Sequence, residues 1–390
     1  MTTTPTGGVP WASRVLRIAL VSTLVGVLGV TLVSPLLPSI ASAVGVGDEQ
    51  ASLIITVYTL PGIVLSPVAG ALADRYGRRP VLVGSLTLYS LCGLAVAAVT
   101  TFDAILLLRA GQGVAASGVF SLSVTLLGDT FEGVERAAAL GANAAAISIG
   151  AAVYPLLGGV LGARSWQTPF LCYAVGLPVA LWALRRLDDP PATTRENGLA
   201  YLRNSVGTLP RRTAATVFAA SFTAYVLLFG GVLTAVPFLL ADSFDQPPLA
   251  IGVVLSAAAL STAAVALSGG RLATRLAPAQ LVAAGYCAYG VGLLTVWLAP
   301  GPLVVTLGTL AVGAGQGAVL PAIDGLVSGM ARARYRAGVF GLRTSVVSLG
   351  ATVGPVGFAA AGSRVGYRPA LLVGGSVALV AGVVALWRTA

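Results

Sequence analysis

The chain predicts an all-α integral membrane fold: twelve transmembrane helices forming two six-helix bundles related by an internal repeat. Three observations carry that expectation. Hydrophobic residues make up 56% of the 390 and charged residues 9%, whereas a soluble domain carries roughly a quarter charged residues. Such a chain cannot solvate itself as a globule. Apolar runs recur at the length of about 20 residues that a helix needs to cross a bilayer. Finally, the glycine-rich charged turn Gly70-Ala71-Leu72-Ala73-Asp74-Arg75-Tyr76-Gly77-Arg78-Arg79 returns in weaker form, 200 residues on, as Gly270-Arg271-Leu272-Ala273-Thr274-Arg275.

Taken in order, the spans are expected at 18–40, 50–72, 80–100, 104–127, 137–161 and 168–186 in the first half. In the second half they are expected at 214–238, 250–271, 279–298, 302–328, 337–361 and 369–387. Barrel strands would need only about ten alternating residues, and these runs are longer and apolar on every face. The polar start, Met1 to Ser13, does not resemble a cleavable signal, because the apolar run behind it is too long and no small-residue cleavage site follows.

Arginine placement orients the helices. With the N-terminus in the cytoplasm, the clusters Arg14/Arg17, Arg75/Arg78/Arg79, Arg185/Arg186, Arg211/Arg212 and Arg332/Arg334/Arg336 all fall inside. Only Arg164, Arg364 and Arg368 fall outside. Both termini are therefore expected on the cytoplasmic side of an inner or plasma membrane. The net charge of +10 reflects this topology and an anionic inner leaflet, with no basic folded surface for nucleic acid. There is no histidine, which removes His metal sites and His proton relays. Cys92, Cys172 and Cys287 sit inside apolar runs as small packing residues.

The longest polar stretch, Arg185 to Arg212, divides the chain into an N-terminal bundle (1–187), a cytoplasmic linker (188–213) and a C-terminal bundle (214–390). The halves repeat. Gly141, Gly150 and Pro155 recur as Gly341, Gly350 and Pro355, and Arg136, Arg164 and Pro169 as Arg336, Arg364 and Pro369, all at an offset of 200. Gly111-Gln112-Gly113 recurs as Gly315-Gln316-Gly317, shifted by four more. Two parallel six-helix repeats enclosing a midplane cavity are the architecture of a secondary transporter.

At these residues the chain resembles the major facilitator superfamily over nearly its full length. The turn at Gly70–Arg79 matches the family's signature loop between helices 2 and 3 at every defined position. Leu28-Gly29 followed by Pro35 and Pro38 looks like the proline motif of the twelve-helix drug:proton antiporter branch. Arg109-Ala110-Gly111-Gln112-Gly113 looks like the family's Arg-x-x-Gln-Gly motif. Gly141, Gly150, Pro155, Gly158 and Gly159 fit the spacing of its antiporter motif, with Tyr154 in place of the usual glycine, whereas the second half keeps Gly354-Pro355.

The resemblance implies roles for these residues. Gly70, Asp74, Arg75, Gly77, Arg78, Arg79 and Asp129 would form a conformational gate: Gly70 allows close helix approach, Asp74 meets the start of helix 11, and Arg78 pairs with Asp129. Pro35, Pro38 and the helix 5 and helix 11 glycines and prolines would form tight helix contacts, those of helix 5 facing the other half. Intramembrane charges usually face a polar interior, which makes Arg109, Asp324 and Arg343 candidates for coupling. Gln112, Asn143, Tyr154, Tyr225 and Gln316 are candidates for substrate contact, among cavity aromatics that include Tyr58, Phe120, Phe222 and Phe229. The expected activity is export of small amphipathic or drug-like molecules in exchange for protons, by a monomer in lipid. The proton gradient is the energy source and no cofactor is expected. A carrier for a sugar or another metabolite is the alternative, and a non-transporting receptor on the same fold is a more distant one. No nucleophile–base pair argues for an enzyme. ATP drive through a Gly-x-x-x-x-Gly-Lys loop is excluded, since the chain has no lysine.

Overall fold

The computed structural model describes residues 8–188, 209–269, 272, 274–330 and 336–389. Most of the expected linker, together with Gly270, Arg271 and Ala273 of the second hinge and Arg332 and Arg334, lies outside the described residues. Twelve helices among them are long and apolar enough to cross a membrane.

In the first half these are α1 (Arg14–Thr31, then Leu37–Val44), α2 (Asp48–Thr59, then Gly62–Tyr76), α3 (Arg78–Val96), α4 (Phe102–Thr130), α5 (Gly133–Gly162) and α6 (Thr168–Val175, then Gly176–Arg186). The second half holds α7 (Arg211–Val226, then Val236–Phe244), α8 (Pro248–Leu267), α9 (Pro278–Leu298), α10 (Pro302–Met330), α11 (Arg336–Val365) and α12 (Tyr367–Thr389). All twelve expected spans are present. Several run a turn or so longer than their apolar cores, because polar caps extend them. Ser13 Oγ accepts the Leu16 amide ahead of α1, and Asp48 and Glu49 occupy the first turn of α2, where the helix dipole favours an anion. Prolines open α8 and α9, where the missing N–H costs nothing.

Four helices depart from regular α geometry, one of them α6, whose first segment, Thr168–Val175, is a 3-10 helix. In α1 a 3-10 turn spans Ser34–Leu36 around Pro35, and Pro38 sits in the first turn of the segment that follows. In α2 the ladder is interrupted at Leu60-Pro61, inside the single span expected at 50–72. In α7 residues Leu227–Ala235 take π-helical geometry. The α2–α3 junction needs its glycine: Gly77 has φ of 93°, a left-handed conformation that other residues adopt only with strain.

The halves meet along two seams. In one, α5 lies on α8 with almost no side chain between them: a Cβ at Gly252 would overlap the Pro155 carbonyl, and one at Gly159 would stand 2.5 Å from Pro248 O. The Leu156 amide donates to Ser256 Oγ at 3.1 Å. In the other, α2 lies on α11 through hydroxyls: Thr56 Oγ1 donates to Thr352 O at 3.1 Å and Thr59 Oγ1 meets Thr352 Oγ1 at 3.1 Å. Ser34 Oγ adds a bond to Leu233 O between α1 and α7. Among the described residues, these hydrogen bonds between halves lie from mid-depth to the face opposite the Gly70–Arg79 hinge.

Candidate functional site

The densest polar cluster is buried in the first half around Arg109 of α4, whose side chain is 0% exposed. Its Nη2 donates to Gly29 O at 2.6 Å, its Nε to Ile54 O at 3.2 Å and its Nη1 to Gln112 Oε1 at 2.5 Å. Its guanidinium lies 4.4 Å from the Tyr58 ring centroid, a cation–π contact that gains strength away from water. Gln112 in turn donates to Tyr89 O at 3.4 Å.

The local reason is the broken α1. Past Gly29 the chain tightens toward Pro35, and the Val33 amide turns to Val30 O rather than to Gly29 O four residues back. The arginine takes that carbonyl. Tyr58 and Tyr89 hydroxyls donate to Gly26 O at 3.2 and 3.0 Å, and Tyr173 to Leu28 O at 3.2 Å. Four neighbouring helices thus hold one stretch of α1 by its backbone. Glycines make the room: a Cβ at Gly29 would overlap the Tyr58 hydroxyl, and one at Gly113 the Tyr58 carbonyl.

This placement corrects the expectation that Arg109 faces a cavity. It is a clamp, and its cost of burial is met by carbonyl and amide oxygens rather than by a carboxylate. Gln112 is likewise occupied within the clamp. Asn143 of α5 is 5% exposed and accepts from Thr23 Oγ1 of α1 at 2.7 Å, which ties α5 to α1. Gln316 is 8% exposed in α10. Of the expected cavity aromatics, Tyr58 belongs to the clamp, and Phe120 covers Gly26.

The repeat register also needs correction. A Cβ at Gly113 would strike Tyr58 O, and one at Gly313 would strike Ala258 O: both glycines and both carbonyls differ by 200. Gly113 therefore corresponds to Gly313, and Gly317, which meets Thr262 O, lies one helical turn further along the same face. Neither Gln112 nor Arg109 has a like residue at the equivalent position, where Val312 and Thr309 stand.

In the second half, Arg343 of α11 and Asp324 of α10 form an ion pair, Nη1 to Oδ1 at 2.7 Å, with side chains 12% and 46% exposed. Among the described residues, Arg343 Nε has no hydrogen-bond partner, so the guanidinium is only partly satisfied by the pair. Tyr225 of α7 is within electrostatic reach of both and stacks with Phe229 at 5.9 Å between centroids. This group, partly open and incompletely satisfied, is the reverse of the Arg109 clamp. Tyr154 packs back over Gly150 within its own half.

The glycine motif of α5 serves two faces rather than one. Gly150 meets Val27 and Gly158 the Leu32 carbonyl of α1, whereas Gly159 meets α8 in the other half. Gly141 has open space. In α11, Gly350 and Gly354 lie against the α7 backbone at Phe222 and Val226, so Gly354-Pro355 contacts its own half.

At the hinge, Arg78 is buried and pairs with Asp129 at the end of α4 and with Asp74 at 3.4 Å. Arg75 is exposed over the Tyr76 ring at 5.2 Å, and Arg79 is partly exposed. A Cβ at Gly70 would meet nothing within 4 Å, so close approach at this glycine is not a feature of this conformation. The loop leading into α11 lies outside the described residues, and the contact shown for Asp74 is with Arg78.

Twelve crossing helices in two equivalent bundles, each with a charged group embedded in its helices, define a multi-pass membrane transporter. The chain belongs to the Major Facilitator Superfamily, whose family model matches residues 19–238 and 213–390. It is 28% identical to the class B tetracycline resistance protein of Escherichia coli, over 88% of this chain and 87% of that one. It is 27% identical to the bacillibactin exporter of Bacillus subtilis (strain 168), over 86% and 87%. A crystal structure of the nucleoside transporter NupG, in a mutant form, superposes with a TM-score of 0.77 at 14% identity, covering 96% of this chain and 99% of that chain. A bacterial homolog of the human lysosomal transporter Spinster, solved in an inward-facing and unoccupied conformation, superposes with a TM-score of 0.76 at 18% identity, covering 97% and 95%.

Sequence reasoning missed Tyr89, Tyr173 and Gly93, which complete the clamp (a Cβ at Gly93 would overlap Tyr173 and Gln112), and the π-helical stretch of α7. Tyrosines in the middle of apolar runs were the available signal, since a buried hydroxyl requires a partner.

Proposed function

We propose that this transporter is an exporter that exchanges protons for small amphipathic or drug-like molecules by alternating access, working as a monomer with the hinge face in the cytoplasm. The observation that carries the reading is the Asp324–Arg343 pair. It is an embedded carboxylate on one helix facing a guanidinium on the next, at 2.7 Å, beside the stacked rings of Tyr225 and Phe229. In one conformation Asp324 is neutralised by Arg343, and in the other, with α10 and α11 shifted, by a proton. A substrate that engages either member displaces the pair and thereby competes with the proton. The aromatic pair offers an apolar surface to the rest of the substrate. The bacillibactin exporter, similar over most of its length, supports export as the direction.

Dye or drug accumulation in proteoliposomes with an imposed pH gradient tests this. Asp324→Asn is expected to abolish gradient-driven accumulation, while binding and downhill exchange persist. Normal accumulation by a well-folded Asp324→Asn protein would remove Asp324 as proton carrier.

A further inference from the structure

The face opposite the hinge carries a contact that the transport reading does not use. Tyr367 opens α12 in the second half and Asp48 opens α2 in the first. The Tyr367 hydroxyl donates to Asp48 Oδ2 at 2.7 Å. The ring is built into its place: it stacks on Phe238 of α7 at 5.6 Å and 5°, and a Cβ at Gly362 would overlap it. Gly366, with φ of 92°, turns the chain so that α12 begins at this tyrosine. Phe238 is 0% exposed and Tyr367 7%, while Asp48 keeps partial contact with solvent.

The other hydrogen bonds described between the halves use hydroxyls and backbone groups of Ser34, Thr56, Thr59, Thr352 and Ser256. Asp48 brings a charge to this set. The remaining charges nearby are engaged differently. Arg368 donates to Trp297 O and Ala299 O within its own half. Asp242 of α7 is exposed and within electrostatic reach of both Asp48 and Tyr367.

We infer that Asp48 and Tyr367 are positioning residues for the transport cycle, a latch that holds the two halves together on the face opposite the hinge and breaks when that face opens. A hydrogen bond to a carboxylate is stronger than one between neutral groups. Opening α2 away from α12 exposes both partners to water, so the bond weights the equilibrium toward the closed state without blocking release. The repeat sharpens the assignment. The position equivalent to Asp48 is Pro248, where the second seam closes by backbone contact with Gly159. That seam adds only a neutral bond, from the Leu156 amide to Ser256 Oγ, whereas this one carries a bond to a charged carboxylate.

This inference rests on alternating access, and the experiment separates the two. Spin labels at Ser42 and Ser243, both exposed on the latch face, report its opening. Labels at Val134 and Leu276 report the hinge face. The full chain, with its three cysteines replaced, is measured in lipid nanodiscs by pulsed dipolar spectroscopy. Tyr367→Phe keeps the ring and its stacking and loses only the donor. Tyr367→Phe and Asp48→Ala, which removes the acceptor, are each expected to raise the open-to-closed ratio at Ser42–Ser243 by about tenfold, corresponding to ~1.4 kcal/mol. The double variant is expected to go no further, the non-additivity of a shared bond. Additive effects, or unchanged Ser42–Ser243 distances in folded Tyr367→Phe protein, overturn the latch and leave alternating access standing. Widening of both faces together supports the latch and removes alternating access instead.

Discussion

In α1 the regular helix ends at Thr31, and a 3-10 turn around Pro35 follows. In α7 a π-helical stretch, Leu227–Ala235, covers the positions equivalent to that break. The carbonyls at these two departures are met with different chemistry in the two halves. Gly29 O accepts from the buried Arg109. Its equivalent, Phe229 O, accepts from Thr234 Oγ1 in the same helix at 2.7 Å. Tyr89 bonds to α1 through Gly26 O, whereas its equivalent Tyr289 is buried with no hydrogen-bond partner among the described residues. So α1 is held from outside by donors on α2, α3, α4 and α6, while the α7 backbone takes outside donors from Ser34 of α1 at Leu233 O and Tyr286 of α9 at Ala220 O. The lesson concerns motion. A helix whose backbone is tied to four neighbours moves with its bundle, and one tied to fewer is freer to change register. The ion pair proposed to couple transport stands beside α7, in the less tied half.

The largest effect that tests this contrast is expected from Arg109→Met, which keeps volume and removes every donor. Leaving Gly29 O buried and unpaired costs about 1–3 kcal/mol, and the tie to Gln112 and Ile54 is lost with it. Thermal unfolding in detergent is expected to show a clear drop. Unchanged stability would mean that α1 is held by packing alone, and the comparison would fail.

Gly113→Ala and Gly313→Ala come next. Each introduces a Cβ onto a backbone carbonyl, Tyr58 O or Ala258 O, where nothing flexible can yield. Overpacking of this kind costs about 1–3 kcal/mol. Similar losses at both sites are expected, because the helix crossing is the same in both halves even though the polar chemistry differs. A large loss at Gly113 with none at Gly313 would break the 200-residue register.

Thr234→Val, nearly isosteric, is expected to cost only about 1 kcal/mol, the net worth of a neutral hydrogen bond. The ratio of the Arg109 effect to this one measures how differently the two breaks are secured. Equal effects would show that the arginine contributes no more than a hydroxyl.

Much of this fold was legible in the sequence because membrane spans and positive loops are written in composition, and hydropathy alone finds them. The hinge was legible for a similar reason: Gly77, Arg78 and Asp129 carry their chemistry in their residue types. The direction of a side chain was not. Arg109 reads as an intramembrane charge, and nothing local says that it faces the α1 backbone, because the unsatisfied carbonyl of Gly29 arises only once Pro35 has bent a different helix. The α5 glycines read as one stripe, yet Gly158 and Gly159 are adjacent residues about 100° apart on a helix, so one meets α1 and the other α8. The π stretch of α7 ends two residues before Pro237, whose missing N–H leaves Leu233 O without its α-helical partner, and it lies against α11, where Gly230 meets the Gly354 carbonyl.

The smallest expected change in stability is at Gly70. Its Cβ direction is open, and alanine is favoured over glycine in a helix interior by roughly 0.5–1 kcal/mol. Gly70→Ala is therefore expected to unfold at the same temperature as the parent or slightly higher. The informative measurement is transport. With the described bonds between halves gathered toward the other face, Gly70 is a position where the halves approach only after they rock. A methyl group there leaves this conformation untouched and obstructs the opposite one. Gradient-driven accumulation is then expected to fall several-fold at unchanged stability, and distances on the hinge face are expected to stay in their present distribution. Full transport by Gly70→Ala would mean that α2 never closes on a neighbour at this point, and the hinge would owe its mechanics to Gly77 and the Arg78 ion pairs alone.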